Sequence, residues 1–460
     1  MANSITFHGA ARTVTGSRHL IRQGKTAILV DCGLFQGPQE LRERNNEPFP
    51  FDPLEIDAVI LTHAHTDHIG MLPALVREGY KGPIYATQGT IGLCKISLPD
   101  SAKIQAEDAR YAARHRLDRP HEPLYTEGDV LETLKLLRRV GYHEWQDLPG
   151  KMTFRFLPAG HVLGSAFADI YFQNGERLVM SGDIGRRNRP ILKDPEQVDG
   201  ADWLVMESTY GDRLHEEEDP LAILEEVLGR AHSERRTVIV PSFAIGRTQE
   251  LLWCINELQN QRRIPKIPIY IDSPMGNAAT LLYSRTEEDW DAETRISMLE
   301  GESPFAPDLV QFVRDRHLSK ALNQHRGPMV IISGSGMASG GRVVHHLRHH
   351  IHKEETTVLF TGYQAHGTLG RRIVEGATEV EIMGDWIPVR AEIVQMGSLS
   401  AHGDQSEMVD WLKGFKSQPQ KTFLVHGEAE VQDVFAEKIR QELGWEVEIP
   451  DQGQTFEFQR

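Results

Sequence analysis

Leu61-Thr62-His63-Ala64-His65-Thr66-Asp67-His68-Ile69-Gly70 places three imidazoles and one carboxylate within six consecutive positions, 63 to 68. The apolar run Asp57-Ala58-Val59-Ile60-Leu61 before them reads as a buried strand. Residues 69–78 have helical periodicity and stop at Gly79, a residue suited to a helix C-cap. The cluster is therefore expected on a strand-to-helix loop at the carboxyl end of a strand, where α/β proteins place ligands. His63 and His65 can point to one side of that loop, and Asp67 and His68 to the other. That arrangement suits two metal ions side by side. A polar loop whose histidines cap and hydrogen-bond is the ordinary reading of a lone His, but four ligand-type residues in this order argue against it.

The chain around this cluster has 460 residues, too many for one ordinary domain and enough for two. With 40% hydrophobic and 25% charged residues the composition is that of a globular protein. Fifty Lys+Arg against 66 Asp+Glu give a net charge of −16, which excludes a protein that coats nucleic acid by bulk charge. RNA or DNA would have to be met by a local groove. Cys32, Cys94 and Cys254 are too few and scattered to staple a secreted fold or to make a cysteine-type zinc site. The expected compartment is the reducing cytoplasm. Met1-Ala2-Asn3-Ser4-Ile5-Thr6-Phe7 is no signal peptide and no apolar run approaches the ~20 residues of a membrane span, so no membrane contact is expected.

In chain order, residues 17–22 and 26–31 read as a hairpin around Gln23-Gly24-Lys25. Asp31, before Cys32-Gly33, is either a turn residue or a carboxylate that orients a metal-bound His, and spacing leaves both open. A strand at 83–87 and helical patterns at 89–98, 101–116 and 128–140 follow, the middle one charged enough for a solvated surface helix or lid. Strands are expected at 152–158, 165–172, 176–181 and 202–207. Three of them run into polar residues flanked by glycine: Gly160-His161, Gly182-Asp183 and Glu207-Ser208-Thr209-Tyr210-Gly211. Glycine there lets backbones approach closely. From about 212 to 384, strands at 236–241, 268–272, 328–333 and 356–361 alternate with helices, the pattern of a parallel, helix-covered sheet.

Two Gly-rich turns precede the later helices, Ser333-Gly334-Ser335-Gly336-Met337-Ala338-Ser339-Gly340-Gly341-Arg342 and Gly367-Thr368-Leu369-Gly370-Arg371-Arg372. Turn amides, a helix N-terminus and a nearby Arg can seat a phosphate, although neither turn has a P-loop Gly-Lys-Ser/Thr. Taken alone they read as plain turns. His345, His346, His349, His350 and His352 read as a solvated helix face, with no carboxylate or Cys to complete a metal set. Residues 390–460 return to short strands and hold Ser400-Ala401-His402-Gly403-Asp404 and Val425-His426-Gly427-Glu428, followed by helical patterns at 404–415 and 428–442. The expected division is 1–211, an inserted domain at 212–389, and 390–460 completing the first domain.

His63-x-His65-x-Asp67-His68, His161 and Asp183, in this order, resemble the metallo-β-lactamase superfamily. Glu207 in Glu-Ser-Thr-Tyr-Gly, His402 in Ser-Ala-His-Gly-Asp and His426 in Val-His-Gly-Glu resemble its β-CASP branch. The likeness runs over nearly the whole chain and points to the bacterial and archaeal relatives of the nuclease subunit that cleaves pre-mRNA 3′ ends. It implies an αββα sandwich with an inserted β-CASP α/β domain, a parallel sheet flanked by helices, and a site in the cleft between them. His63, His65 and His161 would hold one zinc, and Asp67, His68 and His426 the other, with Asp183 bridging. The ligand set would also accept manganese or iron. A hydroxide between the ions would attack phosphorus. His402, oriented by Glu207, would protonate the leaving oxygen, giving a 5′-phosphate and a 3′-hydroxyl. Within this likeness the turns holding Ser335, Gly336, Arg342, Thr368 and Arg371 are expected to contact backbone phosphates.

His426 matches the RNA-directed members, whereas Artemis-type DNA-repair nucleases have an apolar residue there. The expectation is therefore an endoribonuclease acting on single-stranded RNA. The extra C-terminal domain of ribonuclease J is absent from this sequence, as are the N-terminal KH domains of many archaeal members, so a 5′-to-3′ exonuclease is the lesser reading. A thioester or lactone hydrolase of the same superfamily is an alternative, opposed by the size of the inserted domain. A scaffold that binds RNA without cutting it is opposed by the complete ligand set, which is costly to bury without metal. A homodimer is an expectation by analogy only.

Overall fold

The computed structural model describes residues 3–116, 122–216, 218–325 and 327–458. It divides into two compact units, one made of 1–189, 193–214 and 402–460 and the other of 190–192 and 215–401.

In the first unit, Asn3–Phe7, His19–Gln23 and Thr26–Val30 form antiparallel neighbours, and Ala58–Ile60, Ile84–Ala86 and Leu137–Arg139 extend the sheet in parallel. Thr455–Phe458 closes its other edge. A second seven-stranded sheet runs in the order Val447–Glu448, Lys421–Val425, Trp203–Glu207, Arg177–Met180, Ala166–Tyr171, Met152–Pro158, Gln146–Leu148. Strand side chains alternate between faces. Ile28 and Val30 from the first sheet thus meet Phe154, Phe156, Leu178, Met180 and Phe423 from the second in one buried layer. On the far face of the second sheet, Val179, Leu204 and Leu424 pack under Met408, Trp411, Phe435 and Ile439, which project from the helices Gln405–Lys413 and Ala429–Leu443. On the first sheet's far face, Leu29 and Val59 are fully buried, and the helices Leu72–Arg77, Gln88–His115 and Glu127–Leu136 complete an αββα sandwich.

The second unit holds a six-stranded sheet in the order Val310–Phe312, Ile269–Ile271, Met329–Ser333, Thr237–Pro241, Thr356–Phe360, Glu392–Gln395, every pair parallel. Its central strands Met329–Ser333, Thr237–Pro241 and Thr356–Phe360 are buried throughout, as a parallel sheet covered by helices requires. Leu224, Leu228, Leu251 and Ile255, from the helices Pro220–Ser233 and Arg247–Asn260, pack on Val238, Val240, Ile269 and Ile332. Val343, Leu347 and Ile373 pack with Ile239, Val358 and Phe360.

Several local expectations are corrected. The pattern at 69–78 is two pieces, Thr66–Ile69 and Leu72–Arg77. The patterns at 89–98 and 101–116 are one helix running through Pro99. Its buried Ile91, Leu98, Ala102, Ala109 and Ala112 are packed on both sides of the proline, and that burial outweighs an interior proline's cost of about 3 kcal/mol. The third helix stops at Leu136, and 137–139 become an edge strand. The strand at 392–395, which the sequence reading gave to the returning first domain, pairs with Thr356–Phe360 in the second unit. The histidine run is not uniformly solvated. His346 and His350 are buried while His345, His349 and His352 face solvent.

Candidate metal centre

Three neighbouring strands of the second sheet, Arg177–Met180, Trp203–Glu207 and Lys421–Val425, run parallel. Their carboxyl ends therefore lie side by side and deliver Asp183, Glu207 and His426 to one edge. Met152–Pro158 runs the same way, two antiparallel pairings removed, and delivers His161. Across the sandwich, Thr26–Val30 and Ala58–Ile60 are parallel and deliver Asp31 and the 62–68 loop. Close backbone approach is built in. A Cβ on Gly185 would lie 2.1 Å from the Gly160 carbonyl carbon, and one on Gly33 only 1.6 Å from the Asp67 carbonyl oxygen.

His63 Nε2 and His161 Nε2 lie 3.1 Å and 3.2 Å from His65 Nδ1. Asp183 Oδ2 is 3.3 Å from His63 Nε2 and 3.4 Å from His161 Nε2. The other oxygen of the same carboxylate, Oδ1, faces His68 Nε2 at 3.4 Å and His426 Nε2 at 3.6 Å. His426 Nε2 is also 3.3 Å from Asp67 Oδ2. Two donor groups thus stand back to back, each group's ligand atoms lying within 4.8 Å of one another. Each has three side chains of its own, and each receives one oxygen of Asp183.

The ring nitrogens are aimed by partners behind them. Asp31 Oδ2 accepts from His68 Nδ1 at 2.7 Å and from the Thr62 hydroxyl at 2.8 Å, while its Oδ1 accepts from Thr62 N. Asp31 also sits at φ 59°, a left-handed conformation that Asp tolerates in turns. Thr209 Oγ1 lies 3.0 Å from His426 Nδ1, and the Ser165 hydroxyl accepts from His161 N. Thr62, Thr209 and Ser165 were not singled out from the sequence. Only their adjacency to the motifs marks them.

Burial favours neutral rings at His63, His65 and His161, holding His65 at about 3. Burial also favours the neutral acid at Asp67 and Asp183, but the surrounding imidazoles outweigh it and hold both carboxyls below the usual range. At His68 and His426 burial is outweighed in the opposite sense by Asp183, so both are raised. Neutral rings and ionised carboxylates are the donor states a cation needs. His63, His65, His161, Asp67 and Asp183 meet that condition, whereas His68 and His426 would each give up a proton on binding. The arrangement fits metal on a further count. His68 Nε2, His161 Nδ1 and Asp183 Oδ1 are buried with no hydrogen-bond partner, and an unmet buried polar group costs about 1–3 kcal/mol. Two of the three point into the donor groups.

His402 stands beside the first group, its ring centroid 4.4 Å from that of His161. Its Nδ1 lies 3.0 Å and 3.1 Å from the two oxygens of Glu207, and its Nε2 is 4.0 Å from Asp183 Oδ2. Glu207 is fully buried and is held in turn by Ile184 N and Thr209 N. Burial works against charge on His402, but the charge of Glu207 and its hydrogen bond prevail and push the imidazole up to about 10.

The remaining candidates lie in the second unit, on two adjoining turns where Gly370 N donates to Met337 O. Arg342 is committed inward, its guanidinium on the buried Asp272 at 2.5 Å and on the carbonyls of Val313 and Arg314. Arg371 pairs with Glu375 at 2.6 Å. Thr368 caps its helix by accepting from Arg371 N, and Ser335 Oγ accepts from Ser339 N. Gly336 lies under the Phe243 ring.

A family model described as metallo-beta-lactamase superfamily matches residues 14–90, a Beta-Casp domain matches 248–373, and a Zn-dependent metallo-hydrolase RNA specificity domain matches 386–450. Ribonuclease TTHA0252 of Thermus thermophilus is 42% identical over 92% of this chain and 92% of its own length. An RNase J-like protein of Methanocaldococcus jannaschii is 30% identical over 98% of both chains. Transcription termination factor FttA of the same organism is 30% identical over 97% of this chain and 70% of its own. A crystal structure of a protein of unknown function from Enterococcus faecalis V583 superposes with a TM-score of 0.59 over all of both chains at 15% identity, a likeness of fold. Among the described residues no helix is long and apolar enough to cross a membrane.

Proposed function

This chain belongs to the β-CASP family of the metallo-β-lactamase superfamily, and from that premise we propose a ribonuclease that cuts single-stranded RNA internally, leaving a 5′-phosphate and a 3′-hydroxyl. The observation that carries it is the division of Asp183, one carboxylate oxygen to each of two three-residue donor groups. Two zinc ions are the cofactor in this reading. His63, His65 and His161 would hold one and Asp67, His68 and His426 the other, and Asp183 would serve the two groups with one oxygen each. Bound there, the ions supply a nucleophile from water at neutral pH and take up charge on the phosphoryl oxygens.

The chain's own residues do the rest. Asp31 and Thr209 keep the Nε2 atoms of His68 and His426 turned inward by binding their Nδ1 atoms. Glu207 accepts a hydrogen bond from His402 Nδ1–H and favours the cationic ring. That leaves a second proton on Nε2, at the side facing Asp183. It can be given to the departing ribose oxygen, the role of a general acid. The names of the relatives support RNA as substrate, with Ribonuclease TTHA0252 aligned over 92% of this chain. The Gly-rich turns remain proposed phosphate contacts through the backbone and Ser335. Arg342, held by Asp272, serves the turn rather than the substrate.

The test is cleavage of a single-stranded RNA labelled at both ends, with zinc present, by wild type and His402→Ala. Internal cuts by wild type and their loss in a variant of unchanged metal content are expected. Mononucleotides released only from the 5′ end would mean an exonuclease. Untouched RNA with an opened thioester or lactone would move the chain to the small-molecule hydrolases.

A further inference from the structure

In the second unit three adjacent strands of the parallel sheet, Met329–Ser333, Thr237–Pro241 and Thr356–Phe360, release their loops at one edge. Two large aromatic side chains stand on those loops and face solvent, Phe243 at 46% and Tyr363 at 51% exposure. Single exposed aromatics are ordinary. These two differ in how they are mounted. The Phe243 carbonyl accepts from the Thr248 hydroxyl at 2.8 Å, the Thr248 amide at 3.3 Å and the Ser242 hydroxyl at 3.2 Å. Its backbone is therefore pinned. One side of the ring lies on the Gly-rich turn, where a Cβ on Gly336 would fall 2.6 Å from Cδ2. Any side chain at 336 would displace the ring. One amide joins the second loop to this turn, because Gln364 Nε2 lies 3.2 Å from the Gly336 carbonyl and, within its own loop, 3.1 Å and 3.2 Å from the Gly362 and Tyr363 carbonyls.

We propose that Phe243 and Tyr363 form a base-stacking platform for single-stranded RNA, held rigid by the Thr248 and Gln364 hydrogen bonds and seated on Gly336. This rests on the ribonuclease reading and names how that substrate is gripped. A ring backed by glycine on one side and open on the other offers the flat, pre-positioned surface that unpaired bases use, and stacking is tolerant of sequence because every base has a π-face. An acidic chain with net charge −16 gains from such a grip, since its bulk charge does not attract phosphates.

The experiment measures KM and kcat of the enzyme on a single-stranded RNA oligomer and on the same oligomer with abasic riboses along its length. It compares wild type, Phe243→Leu, Tyr363→Leu and Tyr363→Phe. Leucine keeps apolar cover over the turn while removing the ring. The expected result is a KM raised about ten-fold by each leucine on intact RNA, with kcat held. Tyr363→Phe is expected to match wild type. On abasic RNA wild type itself shows the raised KM and the leucine variants add nothing to it. Equal losses on both RNAs, or no change on intact RNA, overturn the platform while leaving the ribonuclease reading intact. A wild type that neither binds nor cuts either RNA overturns both.

Discussion

His402 and Glu207 meet through two contacts of 3.0 Å and 3.1 Å at one ring nitrogen, and the other nitrogen faces Asp183 at 4.0 Å. Replacing His402 by Ala is expected to lower kcat by about 10²–10⁴-fold without altering metal content, as read by rapid-quench cleavage beside elemental analysis. Metal loss in the variant would make His402 a ligand instead. Thr209→Val keeps the shape but removes the hydroxyl beside His426 Nδ1. Metal affinity is expected to fall about 10–100-fold, measured by competition with a chromogenic chelator. At this scale the sequence was most legible. Chemistry concentrates in few residue types: the run His63 to His68, and His161, Asp183 and His426 beyond apolar strands, stood out as candidates, and the family likeness supplied their division into ligand sets. Thr62, Thr209 and Ser165 were not legible, because hydroxyls are common everywhere and only the fold shows that Thr62 and Thr209 meet ring nitrogens while Ser165 holds the His161 backbone amide.

Among the elements, the end of the strand Ile269–Ile271 shows what the sequence hid. Asp272 is fully buried and receives His346 Nε2 at 2.7 Å, Arg342 and the Ser319 hydroxyl at 2.5 Å. His346 comes from the run read as solvated. Periodicity marked the helix, Gly341–His350, but not which of its faces met a buried carboxylate 74 positions earlier. Pro99 and the strand at 392–395 escaped for the same reason, since distant packing overrode local propensity. Burial would favour the neutral acid at Asp272, but the hydrogen bonds from His346, Ser319 and Arg342 hold it below the usual range. A depressed folded-state value means stability present above the unfolded value of about 4 and lost as pH falls through the folded one. Asp272→Asn is expected to cost about 3–5 kcal/mol at neutral pH, and the gap from wild type should narrow below about pH 4. Urea midpoints across that range check this, and a gap independent of pH would contradict it.

Over the whole molecule, the parallel sheet followed from the alternation of strands and helices and the αββα sandwich from the family likeness, and both are present. The packing that closes each core was beyond sequence reading, because apolar residues are interchangeable in pattern and not in shape. Metal binding to the native chain alone stabilises it by mass action. Chelation is therefore expected to lower the calorimetric unfolding temperature of wild type and leave that of Asp183→Ala nearly unmoved. An equal drop in both would place the stabilising ion elsewhere. The most direct test of the two-ion ribonuclease is a titration of metal-free protein with zinc, following bound metal and cleavage of single-stranded RNA together. Two ions bound per chain, with internal cleavage rising only as the second binds, is the result expected. Full cleavage at one ion per chain, or by metal-free protein, would contradict it.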